Sequence, residues 1–353
     1  MKIITSFFLS LCLFLSACSS SHSDATPAIQ GARYAYVVNI GETSITQYAL
    51  GPAGTMTAIG TPIATGAFPQ GIAMDLMQKY LYVANMGEDT IYQYSINADG
   101  TLSTLGNPVA TQMAPQSLIL SPDGKFVFVT ETSNSSISKY QITSTGELSL
   151  VSTVTLADSP ANMIFSPSGL YSYVLNYDSS ISQYSYDSAD GTMTPLTPAV
   201  ASVASCPSGP LASYKSNQGG EYIYALSCST AQLEIFSIGS DGTLTSRQVV
   251  ATGIMPTHMQ VSGSYIYVTN AGDGTISKFA IQSDGTLRLA QNIAAGDSPE
   301  SLSIDTKGNL AYVLDFSSDQ ILQYSLDSVG NLPSAASAAA KTDANPSRVL
   351  LKY

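Results

Sequence analysis

Three side chains are spaced so that they could do chemistry: His258, Glu300 and Arg348. Each follows a proline by one or two places, in Pro256-Thr257-His258, Pro299-Glu300 and Pro346-Ser347-Arg348. A histidine set between a carboxylate and an arginine can act as a general base toward a ring ester. The arginine can hold an anionic substrate or a developing oxyanion. The only other histidine, His22, lies in a polar N-terminal stretch, so a histidine-dependent mechanism must use His258 and no histidine-rich metal site is expected. The sequence has no phosphate-cradling glycine loop, no zinc signature and no Gly-x-Ser-x-Gly elbow. No cofactor is called for. The competing reading makes all three solvated rim residues at loop-to-strand junctions.

Only a repeat can bring positions so far apart together, and the chain has one. A turn of the type GSDGTL (239–244) or QSDGTL (282–287) recurs with its glycine at Gly54, Gly100, Gly146, Gly191, Gly242, Gly285 and Gly330, at intervals of 46, 46, 45, 51, 43 and 45 residues. A period near 45 points to a propeller or solenoid. Asp-Gly between alternating apolar runs marks a hairpin, because glycine accepts the positive φ of the turn. Before each turn come two strands. The first reads YAYVVN (34–39), YLYVAN (80–85) or YIYVTN (265–270), with aromatics at every second place and hence on one face. The second reads SITQYAL (44–50) or TISKFAI (275–281). A further strand follows the turn, and a loop then leads to Pro69, Pro115, Pro160, Pro207, Pro256, Pro299 or Pro346. Proline suits a strand's first position, where no ladder donor is needed.

These units predict an all-β chain, a seven-bladed β-propeller with four-stranded antiparallel blades. Strands A to D run from the inside outward, and each proline opens a strand A. The phase is offset: the first repeat begins at strand B with Tyr34, and the chain ends on a strand A, PSRVLLKY (346–353). The C-terminal strand is therefore expected to complete the N-terminal blade and close the ring, leaving no open edge. His258, Glu300 and Arg348 then begin three neighbouring strands A near one end of the central channel. Asn39, Asn85, Glu131, Asn176, Asn270 and Asp315 end strands B on that same face. Glu131, Asn270 and Asp315 are the candidate ligand-binding residues of such a ring. The alternative is that these side chains bond backbone groups of the next loop.

Tyr267-Val268-Thr269-Asn270, with its YVVN, YVAN and YVLN copies, the x-D-G-T-L turns and Ser121-Pro122-Asp123-Gly124, resembles the signature of the YVTN or lactonase-like seven-bladed propellers. The resemblance covers residues 33–353. It implies the propeller fold and, through bacterial relatives similar to 6-phosphogluconolactonase, a lactonase-like activity. In that family strand A often starts Pro-Arg-His and a Glu can follow the strand-B motif. Here His258 keeps the histidine place, Thr257 stands where the arginine would be, and Glu131 falls at the strand-B place.

The chain has 353 residues, 44% hydrophobic and 11% charged, a length that one all-β unit can absorb. A net charge of −12 opposes phosphate backbones, so nucleic acid is not an expected partner. Lys2 and the apolar ITSFFLSLCLFL (4–15) precede Leu15-Ser16-Ala17-Cys18, which resembles the lipobox of bacterial lipoproteins. On that resemblance residues 1–17 form a signal peptide, Cys18 carries a lipid into the membrane, and residues 18–32 are a flexible tether. Ser19 after the cysteine implies the outer membrane. Cys12 leaves with the signal, so Cys206 and Cys228 remain. An exported, oxidising setting favours a disulfide between them, with two buried thiols as the alternative. These features describe an envelope-anchored propeller lipoprotein that binds or scaffolds a protein or glycan partner. The alternative function is a lactonase-like hydrolase taking a small lactone at the channel mouth.

Overall fold

The computed structural model describes residues 33–51, 54–203, 209–305 and 309–353. The described residues contain no α-helix; seven antiparallel sheets form the blades of a propeller. Innermost strands of successive blades touch one another all the way round, so the ring is complete. The closing strand lies where the phase offset puts it. Pro346–Lys352 pairs antiparallel with Tyr34–Asn39, in a register that sets Tyr34 opposite Lys352 and Val37 opposite Val349. This blade is blade 1, and the others are numbered 2 to 7 along the chain.

The alternating aromatics explain why the blades hold together. Tyr36, Tyr82, Phe128, Tyr173, Tyr224, Tyr267 and Tyr312, each the second aromatic place of a strand B, are almost wholly buried between blades. Burying a side chain of this size contributes about 1.5–3 kcal/mol. In five of them the hydroxyl also donates to the carbonyl of the turn glycine of the following blade: Tyr36 to Gly100 at 2.8 Å, Tyr82 to Gly146 at 2.6 Å, Tyr173 to Gly242 at 2.7 Å, Tyr224 to Gly285 at 3.0 Å and Tyr267 to Gly330 at 2.7 Å. Burial pushes these phenols well above their ordinary range, so they stay protonated donors. The two most regular sequence markers, the aromatic strand and the glycine turn, thus latch onto each other across every such blade boundary. Gly242 shows the geometry: its φ is 83°, and a Cβ there would lie 2.2 Å from the Tyr171 ring.

Two details depart from the simple repeat. Blades 1 and 2 have a broken strand D, Met56–Ala58 with Ile63–Ala64 and Leu102–Thr104 with Val109–Ala110. Each break holds a positive-φ glycine and a proline, Gly60 with Pro62 and Gly106 with Pro108, where a ladder cannot continue. In blade 5 the expectation that Pro207 opens strand A is corrected. That strand is Leu211–Lys215, and Pro207 lies outside the described residues. Gly209 and Pro210, which precede the strand, border the channel here.

Candidate active site at the channel mouth

Strand A of blade 6 is Pro256–Ser262, that of blade 7 is Pro299–Ile304, and that of blade 1 is Pro346–Lys352. These three are consecutive around the ring. The structure therefore brings His258, Glu300 and Arg348 to one sector of the channel. Each strand begins with a β-bulge. Pro256 pairs with Asn270 and His258 with Thr269, leaving Thr257 as the extra residue. Pro299 pairs with Asp315 and Ser301 with Leu314, leaving Glu300 extra. In blade 1 the extra residue is Ser347. A bulge re-aims side chains at the end of a strand. Glu300 occupies the bulge itself, whereas His258 and Arg348 stand just past it.

Thr269, the threonine of the Tyr-Val-Thr-Asn run, fastens two of these bulges. Its hydroxyl donates to the carbonyl of His258 at 3.3 Å and reaches that of Glu300 at 3.5 Å, and it meets the Thr257 hydroxyl at 3.1 Å. Sequence reasoning passed over Thr257 and Thr269. The available signal was Thr130, the same residue at the same place of blade 3: its hydroxyl reaches the Ala161 carbonyl of the next blade at 3.5 Å, as Thr269 reaches Glu300, and it accepts from Ser117 N–H at 3.1 Å.

Two cavities meet at this sector. The channel proper, about 200 Å³, is bordered by residues from all seven blades, with Gln70, Gln116, Asn162, Thr257, His258 and Arg348 among its polar groups. A mouth pocket of about 450 Å³ is bordered by Cys228, Met255, Pro256, Thr257, Glu300 and Arg348. Arg348 and Thr257 border both. Arg348 Nη1 lies 3.7 Å from Glu300 Oε1 and donates to the Ser347 carbonyl at 2.8 Å. Both side chains of the ion pair are about a quarter to a third exposed, so the pair adds well under about 1 kcal/mol to stability and leaves the guanidinium open to another anion.

His258 reaches the channel, yet protein surrounds it and its charged form is poorly hydrated. Burial first, and the Arg348 charge second, push it down to about 3. The ring is neutral at physiological pH. Leu302 N–H points at Nδ1 from 3.5 Å, a long contact. A neutral ring that accepts there carries its proton on Nε2. Burial pushes the Glu300 carboxyl up, against the opposing pull of Arg348. Of the two groups Glu300 is therefore the stronger base. The sequence reading makes His258 the base; these two directions make Glu300 a second candidate for that role and leave the His258 ring a hydrogen-bond donor.

The strand-B candidates sit differently. Glu131 is wholly buried, accepting from Gln112 N–H at 3.0 Å and from the Ser136 hydroxyl at 2.6 Å. Asn270 accepts from Gly253 N–H at 3.1 Å and donates to Thr275 and Ser277. Asp315 accepts from Asp297 N–H at 3.1 Å and Ser298 N–H at 3.0 Å. All three tie the loop before strand A to their own blade, and none borders the channel or its mouth. Cys18 and Cys206 lie outside the described residues. Cys228 borders the mouth pocket, and its thiol points at the Pro256 carbonyl from 2.9 Å.

The sequence matches the family described as "Lactonase, 7-bladed beta-propeller" over residues 23–115 and 257–345, together more than half of the chain. No curated protein matches it in sequence. Among solved structures, the periplasmic gluconolactonase of Pseudomonas aeruginosa is 20% identical with a TM-score of 0.78, over 91% of this chain and 99% of that one. A putative 6-phosphogluconolactonase from Bacteroides fragilis is 19% identical with a TM-score of 0.80, over 93% and 99%. A protein from Lactobacillus plantarum is 21% identical with a TM-score of 0.79, over 92% and 100%. At such identities the structures share a fold. With the seven closed blades and the family match, the chain belongs to the seven-bladed β-propeller lactonase family.

Proposed function

We propose that this chain hydrolyses a lactone at the mouth of its central channel. The observation that carries the proposal is the meeting of a cation, a carboxylate and a neutral imidazole on three consecutive innermost strands. Membership of a lactonase family supports it, as does the fold shared with the gluconolactonase.

The residues divide the reaction as follows. Glu300, as carboxylate, takes a proton from water, and the hydroxide oxygen bonds to the lactone carbonyl carbon. The carbonyl oxygen becomes an oxyanion stabilised by the Arg348 guanidinium and an imidazole N–H of His258. Collapse breaks the bond from that carbon to the ring oxygen. The departing alkoxide takes up the proton held by Glu300, and an open-chain hydroxy acid leaves. Water and lactone are the only reactants.

Ring opening of glucono-δ-lactone, corrected for its spontaneous hydrolysis, tests this in wild type against Arg348→Ala, Glu300→Gln and His258→Ala. Wild-type acceleration lost in all three variants supports the assignment. Acceleration that survives all three removes it. His258→Gln separates the roles of the histidine: a side chain that donates N–H should restore much of what alanine loses if His258 is a donor, and little if it is a base.

The envelope is the proposed location. The Leu15-Ser16-Ala17-Cys18 run supports export and lipidation at Cys18, with Ser19 favouring the outer membrane. Palmitate labelling that vanishes in Cys18→Ala would support this; unchanged labelling would count against it. A binding or scaffold role toward an envelope protein or glycan is the second reading. It is favoured by Thr257 standing where the family resemblance expects an arginine.

A further inference from the structure

Resting on the lactonase reading, we propose that the preferred substrate is an uncharged lactone carrying an alkyl chain, with the ring at Arg348 and the chain in the mouth pocket. The charge balance comes first. Among the described residues Arg348 is the only lysine or arginine bordering the channel or its mouth, and it already faces Glu300. A phosphate ester carries about −1.5 to −2 at neutral pH and needs several donors or cations to replace its water. Gln70, Gln116, Asn162 and Thr257 offer neutral donors, but one arginine already paired with Glu300, in a chain of net charge −12, leaves that charge unbalanced.

The lining of the mouth supplies the positive half. Met255, Pro256 and Cys228 give it an apolar wall beside the Glu300–Arg348 pair. Met255 is 59% exposed and its neighbour Ile254 60% exposed, large apolar groups standing in solvent at the edge of the site. Met255 also holds a φ of 50°, in the left-handed region that a bulky side chain seldom adopts. That turn is part of the ring, since Phe68, Ala114 and Asn345 hold it before their own strand-A prolines. Phe68 is likewise large, apolar and 55% exposed, but it borders neither cavity; Met255 borders the mouth pocket. The arrangement suits a methylene chain running outward from the ring, at about fourfold in kcat/KM for each methylene buried.

The test compares kcat/KM of the full chain for δ-decalactone, δ-valerolactone, glucono-δ-lactone and 6-phosphoglucono-δ-lactone. It is run for wild type and Met255→Asn. Asparagine is the natural residue of the same turn at Asn345, so the backbone accepts it. Calorimetry with the lactam analogue of δ-decalactone, which is not cleaved, reads the pocket without catalysis. The expected result is a preference for δ-decalactone over both sugar lactones, with its ratio to δ-valerolactone falling about tenfold in Met255→Asn. A preference for the phosphorylated lactone, or an unchanged ratio in the variant, overturns the inference and leaves the hydrolase reading intact. Lactam binding that Met255→Asn weakens, with no lactone opened by wild type, does the reverse. Neither binding nor hydrolysis removes both.

Discussion

At the turn end of the ring, Tyr36, Tyr82, Tyr173, Tyr224 and Tyr267 make the same hydrogen bond to a glycine carbonyl one blade onward. At the mouth end, the residues just past the strand-A prolines are Gln70, Gln116, Ala161, Thr257, Glu300 and Ser347, hardly one repeated. The first end shows what a blade needs from its neighbour. Blade 3, with Phe128 and no hydroxyl, meets the need another way: Lys139 Nζ donates to the Asp190 carbonyl at 2.7 Å, beside the turn glycine Gly191. The second end is free of that demand, and its variation is where the chemistry collects. A residue repeated round a propeller belongs to the fold, and a residue that breaks the repeat is a candidate for the site.

That contrast can be broken most severely at the closure. Deleting residues 346–353 removes strand A of blade 1, buried Val349 and Leu351 with it, and exposes the edge of Tyr34–Asn39. The loss should exceed a total stability of about 5–15 kcal/mol, and circular dichroism should show no cooperative melt. A truncated chain that melts like the whole one would sink the closure. At the mouth, Arg348→Ala should lower kcat/KM about 10²–10³-fold with the melting temperature nearly unchanged, the mark of a site residue rather than a scaffold one. A large fall in melting temperature would place Arg348 with the scaffold.

At the turn end, Gly242→Ala should cost about 3 kcal/mol, combining a left-handed alanine with a clash against Tyr171. Gly219→Ala has the same backbone problem, with φ 88°, but nothing within 4 Å, and should cost about 1–2 kcal/mol. Equal losses in urea unfolding would show that the latch contributes nothing beyond backbone preference. Tyr173→Phe, which copies blade 3 without its lysine, should cost about 1 kcal/mol.

The mouth end also carries a pH dependence. His258 binds its proton in the unfolded chain near 6.5 and in the fold only near 3. Below 6.5 the unfolded state takes up more protons, so stability falls as pH drops through that window, by at most about 1.4 kcal/mol per unit from this group. Urea midpoints at pH 7 and pH 5 should differ less in His258→Gln than in wild type. An identical loss in both would assign the acid sensitivity elsewhere.

The blade count, the strand order and the closure could be read from the sequence because each rests on a local pattern stated seven times. Glycine turns, alternating aromatics and strand-opening prolines are properties of a few adjacent residues. Blade 5 escaped, since nothing in Cys206-Pro207-Ser208-Gly209-Pro210 says that the strand waits until Leu211. At the site, adjacency of His258, Glu300 and Arg348 followed from the ring. Their roles did not, because basicity depends on how much water each group keeps. A histidine pressed into a narrow channel beside a cation loses it and is held neutral, while burial raises the glutamate on its bulge. Glu131, Asn270 and Asp315 show the converse: their place at the end of strand B was legible, while the loop N–H groups that engage them come from residues about 20 positions upstream, Gln112, Gly253 and Asp297.

Tyr34 and Lys352 face each other across one ladder, and Arg33 N–H donates to the Lys352 carbonyl at 2.6 Å. The chain thus enters and leaves the ring at a single point, on the side away from the mouth. A short covalent bridge between residues 353 and 33 would turn the propeller into a closed loop of chain, and a cut in any of the seven glycine turns would then give a circular permutant with every blade's four strands contiguous except the one cut. Pulled by its natural ends, by contrast, the ring would open like a zip, one ladder hydrogen bond at a time, starting from blade 1.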